Sequence, residues 1–579
     1  MDIARVCPGC LRQAPARAAV AAHRRITASR PFLQPRRPRN DPIDRPREVR
    51  RGYSTRHSPQ APPENVAVIG GGITGLTTAY YLAKFLPATS TITLYEANDR
   101  IGGWIDTVKK TAPDGQPVYF ENGPRMLRGL GGSGFRADDY VFYDMLADLK
   151  LSPKISPPRN KLFCYNDELF RLPPNVLNPL VALKTSWQLL RGTHVVSGMV
   201  DAALAYRRAN AREWPASAVE QDISIGDWAR DTFGDAPAPR NALSAMMHGI
   251  YGGNLDQLSM PSTLPAVWFG ERMPKGPDDV LLPRADYELL RDLDPRKRGI
   301  QDDVKLWSKA EVMSFPGGMA SPVSRLRYLP EQDRVELQTQ TGGPAALFDK
   351  VVSTTPSAVL APQISASAPA VALNTRAVTI RTVSFFFADP DLTAKLGAFG
   401  YLVPLTSRTN HEQMLGMFFD SDTYGLRDDE KRGTKVTILM GGHFWSGSDS
   451  DSTPDALPSE DECLVHANLA RGCIAQHVVS HRATLAGAHD ALASAFAGRL
   501  AVAGGSYTAV GVMPAMRAGY DAARQLAGRG YVEHVGATGL AQFARKQGAD
   551  VIAVPREELN GLGKQLRGSS AIGRWLAGR

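Results

Sequence analysis

A glycine-rich segment offers the clearest chemistry in the sequence. It reads GGGITG from Gly70, with glycines at the spacing of a loop that can cradle a pyrophosphate. Gly70 would permit the tight turn, Gly72 would let the backbone approach phosphate oxygens, and Gly75 would let a helix pack closely on a strand. Ile73 and Thr74 would open that helix, whose N-terminal N–H groups attract anions. The spacing therefore indicates a phosphate-binding loop.

The elements around this loop complete a dinucleotide fingerprint. An apolar, β-branched run at 66–69 predicts a buried strand, residues 76–85 have helical spacing, and 91–95 predicts a second strand. Glu96 follows Gly75 by 21 residues, where an acid can accept hydrogen bonds from an adenosine ribose and disfavours a 2′-phosphate. We predict a Rossmann-like βαβ unit. The alternative is a glycine-rich turn in an unrelated α/β unit.

The residues after Glu96 favour FAD over NAD. The sequence DRIGG at 99–103 resembles the DRxGG continuation of flavoprotein amine oxidases and desaturases, in which the arginine and glycines wrap the cofactor. The residues expected to contact FAD here are Ala97, Arg100, Gly102, Gly103 and Trp104.

A second strand, glycine and helix unit lies near the end of the chain. Residues 500–503 predict a strand, Gly504 a turn of close approach, and 512–527 a helix that begins at Val512 and Met513. The N–H groups of that helix would face the flavin where negative charge develops on reduction. Ordinary α/β packing is the alternative for this unit taken alone.

The positive charge of the chain is concentrated at one end. The 579 residues contain 67 bases and 58 acids, but residues 1–60 hold 14 Arg and only four acids, which leaves 53 bases and 54 acids for the rest. An Arg- and Ala-rich, acid-poor segment is typical of an organellar transit peptide, and RGYS at 51–54 predicts mitochondrial processing near Tyr53. A retained basic tail is the alternative.

Composition excludes several classes of protein. The near-neutral body has no basic stripe for nucleic acid, and no run approaches the roughly 18 apolar residues of a spanning helix. Cys7 and Cys10 form a CxxC without a second pair at zinc-site spacing, so we expect no metal.

Five motifs together carry a family resemblance. They are, in chain order, ENGPR at 121–125, HGIYGG at 248–253, FPGGM at 315–319, GAFGYLVP at 397–404 and GGSYTAVGVMP at 504–514. Their order resembles the oxygen-dependent protoporphyrinogen oxidase family, in particular its fungal mitochondrial branch. The resemblance implies oxidation of protoporphyrinogen IX to protoporphyrin IX in haem biosynthesis, with six electrons passing through FAD to three O2 and three H2O2 formed.

The same resemblance implies the substrate site. Phe399 and Leu402 correspond to an apolar clamp on the macrocycle, although simple strand core is the reading from the residues alone. Arg125 would line the flavin and substrate cavity and pair with a propionate, with a structural ion pair as the alternative. Lys161, with Arg159 behind it, would meet a propionate.

The resemblance also extends the set of cofactor contacts and identifies two histidines. Gly123, Pro124 and Arg125 would line the flavin, and Val323 would present backbone to the adenine. No catalytic residue is assigned. His248 and His443 are interpreted as hydrogen-bonded structural residues.

The expected architecture is α/β, or α+β overall, with an interleaved layout. A Rossmann-like FAD domain would combine 61–155, 311–360 and 495–528; a mixed-sheet substrate domain, 236–310 and 361–445; and a helical membrane-contact domain, 156–235. Residues 1–53 would be the transit peptide, 446–494 a linker and connecting helix, and 529–579 a tail of unknown role.

The implied partners are the substrate, O2 and the inner mitochondrial membrane surface, with a homodimer and contact with ferrochelatase suggested by the family. The helical stretch with Trp187 and nearby bases would contact the membrane, or pack on the core as amphipathic helices usually do.

Two stretches, after Met319 and after Glu462, are shorter than the corresponding stretches of the family pattern. Another FAD amine oxidase or desaturase, and an inactive flavoprotein relative, stay open as alternatives.

Overall fold

The computed structural model describes most of the chain beyond residue 63. The described residues are 26–27, 64–125, 127, 136–151, 153–156, 160–165, 168–172, 212–274, 276, 279–307, 312–314, 325–329, 334–338, 345–368, 373–396, 398–423, 429–445, 463–529 and 538–559.

The strands of this part of the chain are β1 Ile26–Thr27, β2 Asn65–Ile69, β3 Thr91–Tyr95, β4 Thr107–Thr111, β5 Pro117–Glu121, β6 Lys154–Ser156, β7 Asn160–Tyr165, β8 Glu168–Leu172, β9 Asp279–Pro283, β10 Val312–Ser314, β11 Arg325–Leu329, β12 Arg334–Gln338, β13 Ala346–Phe348, β14 Lys350–Ser353, β15 Ala377–Phe387, β16 Ala398–Leu402, β17 Met414–Phe418, β18 Thr434–Gly441, β19 Leu464–Ala475, β20 Leu500–Val502 and β21 Val551–Pro555.

The helices are α1 Ile73–Phe85, α2 Asp138–Leu149, α3 Ile225–Phe233, α4 Pro237–Tyr251, α5 Met260–Thr263, α6 Pro265–Arg272, α7 Arg284–Asp292, α8 Pro295–Arg298, α9 Gln301–Trp307, α10 Ser357–Ile364, α11 Asp420–Thr423, α12 His481–Phe496, α13 Val512–Leu526 and α14 Arg556–Leu559.

A five-stranded sheet, in the order β1-β3-β2-β14-β20, forms the centre of the first domain. Strands β3, β2, β14 and β20 are parallel, and the short β1 pairs antiparallel with β3 at the edge. The four parallel strands come from the three stretches expected to build the FAD domain, whereas β1 lies within the expected transit peptide. Parallel strands end at the same edge, so the loops after β2 and β20 share one crevice, the usual ligand position in such sheets.

Apolar layers cover both faces of this sheet. On one face α1 and α13 pack together, with Val66, Leu82 and Ala523 fully buried. On the other face α10 and α12 cover Ala67 and Val351. Strands buried on both faces read as continuous apolar runs, which is why β2, β3 and β20 were predictable from the sequence.

A seven-stranded sheet forms the centre of the second domain, in the order β19-β15-β18-β17-β16-β7-β8. It is antiparallel except where β16 runs parallel to β7. Strand β16 carries Phe399 and Leu402, and β7 carries Lys161, so two neighbouring strands hold three of the four predicted substrate residues. The mixed α/β expectation is confirmed.

Two segments differ from the expected layout. Leu464–Ala475, within the 446–494 stretch expected to be a linker and connecting helix, is the edge strand β19 paired along β15. The alternation of apolar and polar residues along β19 is weak because an edge strand keeps many side chains in water. Within the expected tail, β21 pairs with β9, and the backbone N–H of Val502 donates to the Thr538 carbonyl at 2.9 Å. The tail therefore contributes to the folded body.

The predicted membrane helix around Trp187 lies outside the described residues. Among the helices that the structure does describe, none has the length and apolarity needed to cross a bilayer.

Candidate functional site

The glycine loop after β2 has the geometry of a phosphate cradle. Gly70 adopts φ +99°, and its N–H donates to the Tyr95 carbonyl at 2.7 Å. Helix α1 then begins with Gly72 as its N-cap, so no side chain occupies the helix end, and its first turn contains no acid. A helix start with uncapped N–H groups and a positive dipole end suits an anion.

Glu96 lies beside this loop at the end of β3. Its Oε2 accepts from the Gly71 N–H at 2.7 Å, and its Oε1 accepts from the backbone N–H groups of Ala97 at 2.7 Å and Asn98 at 3.1 Å. The Asn98 side-chain amide also donates to Oε1 at 2.7 Å. An ionised carboxylate has about four acceptor positions, so Oε2 retains capacity for a ribose hydroxyl.

The loop from Arg100 to Asp106 folds over the glycines. Gly102 forms an isolated bridge with Gly72, and its N–H donates to the Gly71 carbonyl at 2.8 Å. Arg100 donates to the carbonyls of Gly103 at 2.6 Å and Ile105 at 3.1 Å. The guanidinium therefore braces its own loop, and a direct contact of Arg100 with the cofactor stays a prediction.

The C-terminal unit completes the crevice. A Cβ added at Gly504 would lie 3.5 Å from Thr74 Oγ1, so the turn after β20 lies against the start of α1. Helix α13 follows, with Gly511 as an N-cap at φ +120° and no acid in its first turn. Val512 and the buried Met513 open it. Two uncapped helix starts and an open glycine cradle fit a flavin dinucleotide.

The ENGPR segment joins the crevice to the second domain. Gly123 lies so close to Trp104 that a Cβ there would be 1.7 Å from its carbonyl oxygen, while the Trp104 side chain is 46% exposed. Asn122 donates to Asp106 Oδ2 at 2.6 Å, and His466 Nε2 of β19 donates to Asn122 Oδ1 at 2.7 Å. Pro124, the next residue after Gly123, is exposed.

His466 gives this junction a predictable acid sensitivity. Burial, with Lys110 and Arg125 nearby, lowers the pKa of His466 to about 4. The unfolded chain, with a pKa near 6.5, binds more protons between those values, so stability falls as pH drops from about 7 towards 4. His466→Gln should remove on the order of 1 kcal/mol of the stability difference between pH 7 and pH 5.

Urea unfolding of wild type and His466→Gln at both pH values measures this difference. His411→Gln, which changes an exposed histidine, is the control. An unchanged pH dependence in His466→Gln would assign the acid sensitivity to other groups.

Arg125 is buried in an internal ion pair. Its Nη1 lies 3.4 Å from Asp420 Oδ2 and donates to Thr437 Oγ1 at 3.0 Å, while Nη2 donates to the Glu121 carbonyl at 3.0 Å. The two charged side chains are 5% and 3% exposed. This is the geometry of the ion-pair alternative, in which Nη1 and Nη2 both donate to protein acceptors. Binding of a propionate by Arg125 stays a prediction.

Of the remaining predicted residues, three lie on the neighbouring strands β16 and β7, and two lie outside the described part of the chain. Phe399 and Leu402 are both half-buried on β16. Lys161 lies on β7, where the backbone register sets Leu162 opposite Tyr401. Val323 and Arg159 lie outside the described residues.

The sequence of the crevice and of the two sheets has counterparts in a known protein family. It matches the family described as flavin containing amine oxidoreductase over residues 73–527, from the start of α1 to the end of α13. The chain belongs to this family. As a member of the flavin containing amine oxidoreductases it uses FAD, and the glycine loop, Glu96 and the start of α13 are the groups that would hold it.

Curated relatives within this family span most of the chain. A protoporphyrinogen oxidase of Schizosaccharomyces pombe is 26% identical over 510 residues, covering 80% of this chain and 98% of the relative. The human protoporphyrinogen oxidase is 26% identical over 505 residues with the same coverage. Among solved structures, a candidate protoporphyrinogen oxidase from Exiguobacterium sp. 255-15 matches with TM-score 0.55 and 18% identity over 80% of this chain and 98% of that one, which shows the fold alone.

His248 and His443, interpreted from the sequence as hydrogen-bonded structural residues, form a pair with their Nε2 atoms 2.9 Å apart. His248 Nδ1 also lies 2.5 Å from the Val403 carbonyl oxygen. The HGIYGG motif was the available signal, but nothing in one sequence shows that residue 443 folds back onto it.

Proposed function

We propose that this flavin containing amine oxidoreductase oxidises protoporphyrinogen IX to protoporphyrin IX. Six electrons leave the macrocycle in three two-electron steps, and three O2 become three H2O2. The observation that carries the proposal is the match to protoporphyrinogen oxidases of fission yeast and human over 98% of their own length. A match of this length extends beyond the cofactor crevice to the seven-stranded sheet that carries Phe399, Leu402 and Lys161.

The seven-stranded sheet offers apolar side chains that suit a large apolar ring. Phe399 and Leu402 would hold the macrocycle, and the end of α4 reaches Leu402, since a Cβ at Gly249 would lie 2.8 Å from Leu402 Cδ2. FAD, when bound, supplies the acceptor for the hydride. The chain's own residues orient the ring and exclude water, so that the transferred hydrogen meets the cofactor and not solvent.

The substrate's carboxylates require a cation. Lys161, on the strand beside β16, is our choice for a propionate, because Arg125 already has Asp420 as its counter-ion. A lysine would supply a point charge without the planar fork of an arginine.

A mitochondrial location follows from the basic N-terminal segment and is part of this proposal. We infer import, removal of about residues 1–53, and peripheral contact of the mature protein with the inner membrane through the amphipathic stretch predicted from the sequence around Trp187. N-terminal sequencing of the mature protein from mitochondria tests the cleavage. An intact Met1 would contradict it.

The function is tested by turnover under air. Full-length protein carrying flavin should convert protoporphyrinogen IX to a fluorescent porphyrin, with about three O2 consumed per porphyrin, as the six-electron balance requires. Coproporphyrinogen III is the comparison substrate, because a Bacillus subtilis coproporphyrinogen III oxidase is 28% identical over 36% of this chain. A primary amine tests the amine oxidase alternative.

Porphyrin formed faster from protoporphyrinogen IX than from coproporphyrinogen III supports the assignment. Turnover of the amine alone, or bound flavin without any porphyrin formation, would contradict it.

A further inference from the structure

A buried histidine contacts the glycine turn that follows β20. His477 lies two residues beyond the end of β19 and is fully buried. Its Nε2 lies 2.7 Å from the Gly505 carbonyl oxygen, in the turn that borders the cofactor crevice. A carbonyl oxygen can only accept a hydrogen bond, so Nε2 carries the proton and donates to Gly505.

The chain after β20 forms a single helical turn. The N–H groups of Tyr507 and Thr508 both donate to the Gly504 carbonyl, at 2.9 Å and 3.1 Å. The N–H groups of Gly504, Gly505 and Ser506 precede these bonds, and no described residue accepts a hydrogen bond from them. Successive N–H groups of this kind form a concave site for an anion. Because buried backbone donors are nearly always paired, we expect a ligand acceptor at this turn.

The histidine and the turn's donors lie on opposite sides of one peptide unit. The Gly505 carbonyl and the Ser506 N–H belong to the same peptide, and no described peptide bond is cis. In a planar trans peptide the carbonyl and the N–H point in opposite directions. The hydrogen bond from His477 to the carbonyl therefore also fixes the direction of the N–H. A Cβ added at Gly505 would have no described atom within 4 Å, which leaves room for a ligand beside the turn.

The segment that carries His477 is itself firmly held. The His477 carbonyl accepts from the Ser259 N–H at 2.8 Å. The side-chain amide of Gln476 donates to the Tyr251 carbonyl at 2.8 Å, at the end of α4. The ring of His477 therefore extends towards Gly505 from a backbone that two hydrogen bonds attach to the rest of the fold.

The ring of His477 has one polar contact in the described part of the chain. It stacks on His481, with ring centroids 4.2 Å apart and planes within 9°, and no described donor reaches its Nδ1. Burial lowers the pKa of His477, and burial together with His477 lowers the pKa of His481 to about 3, so both rings are uncharged at neutral pH. A substitution that removes the Nε2 proton therefore tests the Gly505 contact alone.

We propose that His477 is a positioning residue for FAD, which fixes the Gly505 peptide so that the N–H groups of residues 504–506 face the cofactor. The ring acts through the turn and does not touch the reacting atoms. Because β19 belongs to the seven-stranded sheet, the contact also ties the cofactor turn to the second domain. The inference rests on flavin binding and is independent of which substrate is oxidised.

The test measures flavin release from full-length, flavin-loaded protein after dilution, followed by flavin fluorescence. His477→Phe keeps a ring for the stack but removes the N–H. It should release flavin about tenfold faster than wild type, equivalent to about 1.4 kcal/mol for one lost hydrogen bond. His477→Gln keeps an N–H donor and should stay within about threefold of wild type, a rescue that a merely structural role would not give.

Asn65→Leu is the matched control. The Asn65 side-chain amide donates to the Leu347 carbonyl at 2.9 Å, at the amino end of β2, whereas the crevice lies at the carboxyl ends of the parallel strands. Asn65→Leu removes a comparable bond from a side chain to a carbonyl. It should lower stability in urea and release flavin at the wild-type rate.

A second measurement does not depend on how His477→Phe folds. Nitrogen-15 NMR of histidine-labelled, flavin-loaded wild type at pH 7 should show His477 as a neutral ring with its proton on Nε2. The resonance is assigned by its loss from the His477→Gln spectrum. A proton on Nδ1 of His477 would overturn the proposal.

The release rates decide the proposal in the same way. Folded His477→Phe that releases flavin at the wild-type rate would overturn it. His477→Gln that releases flavin as fast as a destabilised His477→Phe would also overturn it, because the donor would then be irrelevant. Asn65→Leu that releases flavin as fast as His477→Phe would assign the effect to a general loss of stability. No substrate is present, so each result holds whether or not the protein forms porphyrin.

Discussion

Gly72→Val should give a folded protein without bound flavin. Gly72 has φ −71° and ψ 177°, which valine adopts easily, and a Cβ there would meet nothing nearer in the described structure than Gly103 Cα at 3.9 Å. The protein itself therefore has room for the side chain. The branched methyl groups would instead occupy the position where the backbone must approach the pyrophosphate. Flavin retention should weaken by at least about a hundredfold, equivalent to about 2.8 kcal/mol.

Two other glycines provide controls for Gly72→Val. A Cβ at Gly75 would lie 1.8 Å from the Gly70 carbonyl oxygen, so Gly75→Val should lose stability as well as flavin. Gly487 of α12 has no described atom within 4 Å of an added Cβ, so Gly487→Val should keep its flavin. The measurements are flavin absorbance after gel filtration and thermal unfolding. Flavin bound at wild-type stoichiometry in folded Gly72→Val would contradict the cradle assignment.

Arg125→Ala should destabilise the fold by about 3–5 kcal/mol, because removing one partner of a buried ion pair leaves the other charge uncompensated. Asp420 would keep the Thr437 hydroxyl, 2.6 Å from Oδ2, but lose its counter-ion. The pair joins the ENGPR segment to α11, 295 residues later in the sequence. Urea unfolding of flavin-loaded Arg125→Ala measures the loss.

The controls for Arg125→Ala separate structure from substrate binding. Arg230→Ala removes an exposed ion pair with Asp227 and should change stability by less than about 1 kcal/mol. The double variant Arg125→Ala with Asp420→Ala should be less destabilised than the sum of the single changes. Wild-type stability in Arg125→Ala together with a raised KM would support the propionate role.

The sequence predicted the parts of the molecule that are encoded locally. The strand at 91–95, the glycine loop and Glu96 lie within about thirty residues of one another, and each has a composition that the Rossmann geometry requires. The helix at 512–527 was placed within one residue of its observed end at Leu526.

Long-range partners could not be predicted in the same way. Arg125 looks like a ligand-binding arginine until Asp420 is placed beside it, and His248 looks isolated until His443 is found 2.9 Å away. Strand β19 was missed because an edge strand needs apolar contact on only part of its length. Each of these features depends on how the two domains interleave, which no single segment encodes.

The central claim, that the flavin held in the glycine cradle oxidises protoporphyrinogen, is tested most directly by one anaerobic mixing experiment. Full-length, flavin-loaded protein is mixed with protoporphyrinogen IX in the absence of O2, and the oxidised-flavin absorbance is followed. We expect the absorbance to bleach and then to return on admission of air as porphyrin fluorescence rises. Flavin that stays oxidised in the presence of excess substrate would contradict the account.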